Sequence, residues 1–105
     1  MYQFIFYVPS DYVEVVKNAV FDAGAGKIGT YERCSWEIVG LGQFKPLEGS
    51  NAFIGQVDEL TKTEEVRVEM VCEEKYIKSV IQALQKTHPY EEPAFSVMQM
   101  CNENI

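Results

Sequence analysis

The chain's only histidine lies in the segment THPYEEP, residues 87–93, beside an aromatic ring and two carboxylates. Histidine and carboxylate are ligands that manganese, iron and zinc accept, so the residue types point to a divalent metal held by His88 and Glu92. Prolines on both sides keep such a segment extended, and consecutive side chains of an extended segment point apart. The segment therefore needs further ligands, from elsewhere in the fold or from a second chain, to complete a metal site.

The same segment has a purely structural interpretation, which the residues favour. Pro89 disfavours a helical conformation at His88, so the segment ends a helix and leads into a strand. In this interpretation His88 bonds the local backbone, and Glu91 and Glu92 face solvent. Adjacent glutamates are common on an acidic surface, and no pattern predicts the burial that a general acid/base pair needs. We therefore assign no catalytic residue.

Two other patterns that suggest chemistry are weaker. Residues 24–29 read G-x-G-x-x-G, but a phosphate-binding motif of this form must follow a strand and open a helix, and here the predicted order is reversed. The three cysteines, Cys34, Cys72 and Cys101, are odd in number and form no CxxC pair. That usage argues against a zinc knuckle or a disulfide framework and favours a reducing, cytoplasmic location.

The overall composition limits the partners. A chain of 105 residues predicts a single domain, residues 1–105. Nine basic and sixteen acidic residues give a net charge of −7, which repels phosphate backbones, so we expect no nucleic acid partner. The apolar run MYQFIFYVP is too short for a signal peptide or a membrane span. We therefore expect no membrane partner, and we interpret this run as a buried strand.

Hydrophobic spacing predicts four strands and two helices. The strands are expected at residues 2–8, 30–39, 64–72 and 94–100, and the helices at residues 11–23 and 73–87. The residues predicted to form the apolar face of the first helix are Tyr12, Val15, Val16, Ala19 and Val20. In the second strand, which is predicted to be half-buried, Cys34, Trp36 and Ile38 share one side. This order of elements predicts an α+β, ferredoxin-like βαββαβ sandwich with two helices on one face of an antiparallel sheet.

The segment between the middle strands, residues 40–63, is too long for a tight turn. It contains five large apolar residues, which a solvated loop would not need: Leu41, Phe44, Leu47, Phe53 and Ile54. We expect a short extra hairpin there, or packing against another surface such as a second subunit. Right-handed crossovers would bring this loop, the Pro9–Ser10 turn and THPYEEP to one end of the sheet, opposite residues 24–29.

Four segments together resemble a known family. GAGKIGTYERCSW, GLGQFKPLEGSNAFIG, VRVEMV and THPYEEPAFSV, in this order, are similar to the insertion domain of the Nif-three-like (YqfO) family, also labelled GTP cyclohydrolase type-two-like. The resemblance covers residues 2–98 and implies the ferredoxin-like, trimer-forming fold of the PII and CutA proteins. In long family members this domain interrupts a dinuclear metal-binding domain. The chain looks like the insertion standing alone, so neither that metal site nor the hydrolase activity carries over.

The resemblance also implies where a ligand would bind. In PII and CutA trimers, small ligands or metals bind in clefts between subunits, lined by the middle loop and by the turn after the second helix. The corresponding candidates here are Phe44, Lys45, His88, Tyr90, Glu91 and Glu92. Nucleotide sites of the PII type need several basic residues, and this loop offers little beyond Lys45, so a nucleotide is disfavoured.

We therefore expect a non-enzymatic PII/CutA-like module that binds a small ligand, a metal ion or a partner protein, with a regulatory role as one option. The helix-free face of the predicted sheet would carry Trp36, and a bare apolar face favours association. We expect a homo-trimer, with a homo-dimer as the alternative. The alternative function is that of a metal-dependent hydrolase of the Nif-three-like family.

Overall fold

The computed structural model describes residues 1–101. Its strands are β1 (Tyr2–Pro9), β2 (Trp36–Phe44), β3 (Thr61–Cys72) and β4 (Phe95–Gln99), and its helices are α1 (Val13–Asp22) and α2 (Ile77–Thr87), each preceded by a short 3₁₀ turn. The strands form one antiparallel sheet in the order β2-β3-β1-β4. This order, with both helices packed into one core, confirms the predicted ferredoxin-like α+β fold.

The core lies between the helices and one face of the sheet. Alternate residues of β1 and β3 point into it, so Phe4, Phe6 and Val68 are fully buried. Val16 and Val20 of α1 pack against them as predicted, but Val15 is 54% exposed. The reason is that the buried stripe of α1 is centred on Val16 and Val20, and successive residues of a helix are rotated by about 100°.

The second strand differs from its predicted bounds. It begins at Trp36 rather than at residue 30, because residues 28–31 close a tight bridge and Arg33 has a left-handed φ of 57°. It then continues through the glycines to Phe44, which pairs with Thr61 at the start of β3. Trp36 and Ile38, predicted to be half-buried, are 58% and 52% exposed. They lie on the helix-free face of an edge strand.

The loop between the middle strands is consequently shorter than predicted. The strand pair expected within residues 40–63 is formed by the extended ends of β2 and β3, with Gly42 opposite Thr63 and Phe44 opposite Thr61. The remaining loop covers residues 45–60, a part of the described chain that contains no strand. Its backbone is instead folded on itself, with the N–H of Asp58 donating to the carbonyl oxygen of Pro46 at 2.7 Å. Pro46 is buried although the loop around it is largely exposed.

The two ends of the sheet are organised as the topology predicted. Pro9, at the end of β1, pairs with Glu65 near the start of β3, so the 45–60 loop and the segment before β4 meet at this end. The N–H of Gly26 donates to the carbonyl oxygen of Val71 at the opposite end. Among residues 1–101, no helix has the length and hydrophobicity that crossing a bilayer requires.

Candidate functional site

A cavity of about 270 Å³ opens at the loop end of the sheet, between the 45–60 loop and the segment that precedes β4. Its volume lies near the lower limit of ordinary small-molecule sites, roughly 300 Å³. Aromatic and other apolar side chains form most of the wall: Tyr7, Phe44, Pro46, Ala52, Phe53, Tyr90 and Ala94. The polar lining residues are Gln43, Ser50, Glu65, Glu91 and Glu92. The cavity is therefore apolar and acidic at once.

His88 does not line this cavity, but it bonds the backbone of two residues that do, Tyr7 and Tyr90. It follows the last residue of α2 in an extended conformation, is only 6% exposed, and points back towards β1. Its Nε2 lies 2.6 Å from the carbonyl oxygen of Tyr7, and its Nδ1 accepts the backbone N–H of Tyr90 at 3.0 Å. A carbonyl oxygen can only accept, so Nε2 carries the proton and Nδ1 is unprotonated. Burial lowers the pKa of His88, which favours this neutral form.

The contacts of His88 do not fit the metal site suggested by its sequence neighbours. Both ring nitrogens are engaged with the backbone of the same chain, so neither is free to bind a metal. Within residues 1–101, no group of three or more His, Cys, Asp or Glu side chains is placed to hold a metal ion. The expected metal pair of His88 and Glu92 is therefore not supported by the donor set of one chain.

Tyr90 is held in place from two directions. Its hydroxyl donates to Oε2 of Glu65 at 2.7 Å, and its backbone is bonded to His88. Its ring lies 5.0 Å from the His88 ring and 5.8 Å from the Phe44 ring, measured between centroids. Burial and the neighbouring Glu65 carboxylate raise the pKa of Tyr90, so the hydroxyl remains a donor at neutral pH. The ring thus forms a fixed wall of the cavity.

Two of the glycines near the cavity, Gly42 and Gly55, occupy positions where a side chain would clash. A Cβ on Gly42 would overlap the Glu65 carboxylate, which crosses the open space above this residue, whereas a Cβ on Gly40 would meet nothing within 4 Å. Gly55 has a left-handed φ of 87°, and a Cβ there would lie 2.6 Å from Oγ1 of Thr61. Gly42 therefore makes room for a cavity carboxylate, and Gly55 lets the loop return against the sheet.

The 45–60 loop contacts residues that are distant in the sequence. The ring of Phe53 meets the ring of Tyr12 edge-on at 5.5 Å and lies 6.4 Å from the ring of Tyr90. The backbone N–H of Asn51 donates to Oε1 of Glu91 at 3.0 Å. These contacts tie the loop to the start of α1 and to the segment before β4.

The predicted ligand residues are only partly brought together. Phe44, Tyr90, Glu91 and Glu92 line the cavity, whereas Lys45 is exposed outside its lining and His88 lies below it. The sequence prediction missed the lining residues Tyr7, Gln43, Pro46, Ser50, Ala52, Phe53, Glu65 and Ala94. Strand alternation could have placed Tyr7 and Glu65 on the helix-free face, but it carried no sign that they face a cavity.

Two relatives of the chain carry the same name. No family model matches the chain. A GTP cyclohydrolase 1 type 2 homolog of Mycobacterium leprae is 41% identical over 98 residues, which are 93% of this chain and 26% of the relative. The protein of the same name in Bacillus subtilis is 48% identical over 91 residues, 87% of this chain and 24% of the relative. The chain thus spans about a quarter of the length of the curated relatives it matches.

Solved structures give the same assignment and add a fold comparison. A Bacillus cereus protein related to NIF3 superposes with a TM-score of 0.82 at 37% identity, covering 96% of this chain and 26% of that protein. The PII-like protein CutA of Nostoc superposes with a TM-score of 0.69 at 17% identity, covering 97% of this chain and 83% of that protein. At that identity the likeness concerns the fold alone. The chain is therefore homologous to a segment of about a quarter of the GTP cyclohydrolase 1 type 2 homologs, the NIF3 family, and this segment has the CutA/PII-like ferredoxin-like fold.

Proposed function

We propose that the chain is a binding module that holds a small organic ligand in the cavity between the 45–60 loop and the segment before β4. The observation that carries this proposal is a largely apolar cavity into which a few polar groups converge, as in small-molecule sites generally. None of its lining residues is a histidine, a cysteine, a lysine or an arginine. The lining thus favours recognition of a ligand over nucleophilic or phosphoryl chemistry.

Contacts within the chain hold the aromatic residues of the cavity wall, which supports the same proposal. Tyr90 is bonded through its hydroxyl and through its backbone, and Phe53 is packed against Tyr12. Groups that are already fixed lose little conformational entropy on binding, so more of the contact energy contributes to affinity.

Replacing Phe53 by alanine tests this function. We expect ligands found by screening a fragment library against the ¹⁵N-labelled chain to shift the amide resonances of Phe44, Phe53 and Tyr90. Phe53→Ala should weaken such binding by about tenfold, because it removes one aromatic wall. Leu47→Ala is the matched control, since Leu47 is in the same loop, is exposed and does not line the cavity. A library without a single ligand that perturbs the cavity would refute the proposal.

Self-association through the helix-free face of the sheet is the second part of the proposal, with a homo-trimer favoured over a homo-dimer. This face carries Trp36, Ile38 and Met98, all of which are exposed. Large apolar side chains exposed on the same face of a sheet favour burial against another copy. The residues stand on the two edge strands, β2 and β4, so a partner covering the face would contact both.

Two neighbouring residues of β2 test this surface. Ile38 and Val39 are 52% and 59% exposed, but successive residues of a strand point to opposite faces, and only Ile38 lies on the helix-free one. We expect Ile38→Glu to shift the mass measured by multi-angle light scattering towards the monomer, and Val39→Glu to leave it unchanged. A monomeric mass for the unaltered chain at micromolar concentration would contradict the proposal.

The name of the relatives raises a second candidate, a metal-dependent hydrolase of the Nif-three-like family. That name belongs to proteins about four times longer, and residues 1–101 of this chain contain no cluster of metal-ligating side chains. We therefore assign the activity to no residue here. Turnover of GTP by the purified chain with Mn²⁺, Zn²⁺ or Mg²⁺ would favour this candidate over the binding module.

A further inference from the structure

We propose that the ligand of this cavity is a small organic cation, an ammonium or guanidinium group attached to an apolar body. The inference rests on the proposed binding function and specifies its ligand class. Three carboxylates, Glu65, Glu91 and Glu92, line the cavity, and no basic residue does. Within residues 1–101, none of the three forms an ion pair with a lysine, an arginine or the histidine.

The cavity carboxylates differ in this respect from the acidic residues that a basic side chain neutralises. Glu37 is paired with Lys17 at 2.7 Å, and Glu69 with Arg67 at 3.2 Å. In contrast, the hydrogen bonds that reach the cavity carboxylates come from uncharged donors, the Tyr90 hydroxyl to Glu65 and a backbone N–H to Glu91. A cation entering the cavity would supply the missing charge.

The aromatic walls favour the same class of ligand. The rings of Phe44 and Phe53 lie 5.8 and 6.4 Å from that of Tyr90, so three rings surround the space next to the carboxylates. An organic cation gains from contact with aromatic faces, and its apolar body gains from their burial. A hydrated divalent metal gains little from such walls. The net charge of −7 would also attract a cation and repel a nucleotide.

Three probes of nearly equal shape test the charge preference. Phenethylammonium, 2-phenylethanol and phenylacetate are titrated separately into the ¹⁵N-labelled chain at pH 7 and low salt, and amide shifts of Phe44, Phe53 and Tyr90 report binding. We expect the cation to bind most tightly and the anion least. Added salt should weaken binding of the cation only, because salt screens the attraction between its charge and the carboxylates.

Charge-neutralising variants test whether the cavity carboxylates cause the preference for the cation. Glu65→Gln keeps the shape of the side chain and can still accept the hydrogen bond from the Tyr90 hydroxyl. It should weaken the binding of phenethylammonium by about fivefold, as expected for the loss of one partly screened charge. Glu64→Gln is the control, because Glu64 is the next residue of β3 but bonds Ser10 instead of lining the cavity. Gly42→Ala, which displaces the Glu65 carboxylate without changing its charge, should also weaken binding, whereas Gly40→Ala should not.

The outcomes separate this inference from the function on which it rests. If the neutral or anionic probe perturbs the cavity as strongly as the cation, the ligand class is wrong and the binding function remains. The ligand class is equally wrong if the library fragments that bind at the cavity are mainly neutral or anionic. If neither the probes nor any fragment perturbs the cavity, the proposed function itself fails.

Discussion

His88→Ala is expected to lower the free energy of unfolding by about 3 kcal/mol at pH 7. The substitution removes two partly buried hydrogen bonds at once and leaves the carbonyl oxygen of Tyr7 and the N–H of Tyr90 without their partner. It also leaves an empty volume at the junction of α2, β1 and the cavity. Urea unfolding followed by far-ultraviolet circular dichroism measures the change.

The control for this prediction is Lys86→Ala, in the last turn of the same helix. Lys86 is exposed, and surface substitutions of this kind change stability by about 0.5 kcal/mol or less. Equal unfolding midpoints for the two variants would show that His88 does not support the fold. A large loss for His88→Ala together with weaker binding of the cavity probes would show that the residue positions Tyr90.

The stability of the chain is expected to fall as the pH drops below about 6.5. Burial lowers the pKa of His88 in the folded state, while the hydrogen bond to Tyr7 and the charge of Glu65 offset only part of that effect. In the unfolded chain the histidine titrates near pH 6.5. Between these two pKa values the unfolded chain binds the extra proton, so acidification favours unfolding. Above the unfolded pKa the stabilisation is fully present.

The slope of the free energy of unfolding against pH has an upper limit, which makes the prediction quantitative. One proton bound only by the unfolded chain changes the free energy of unfolding by at most about 1.4 kcal/mol per pH unit. His88 is the only histidine, so the variant His88→Gln should lose this dependence between pH 7.5 and 5.5. Urea midpoints measured across that range decide the matter. A wild-type midpoint that is constant from pH 7.5 to 5.5 would contradict the lowered pKa.

The fold could be predicted because each element is encoded by residues close together in the chain. Alternation in β3 buries Val66, Val68 and Met70, and the repeat in α2 buries Val80 and Leu84, without reference to any distant residue. Crossover handedness then places the loop, the end of β1 and THPYEEP together. The bounds of β2 were missed, because the left-handed conformation of Arg33 and the pairing of Phe44 with Thr61 are not visible as periodicity.

The candidate site depends on contacts that no local pattern contains. The sequence by itself determined the helix stop at His88, the prolines around it, and the presence of aromatic and acidic residues in the right segments. Only the tertiary structure decided that His88 bonds Tyr7, 81 residues away, and that Tyr90 bonds Glu65 across the space left by Gly42. Periodicity reflects short-range geometry, whereas these contacts depend on strand register and on the path of the 45–60 loop, which long-range packing sets.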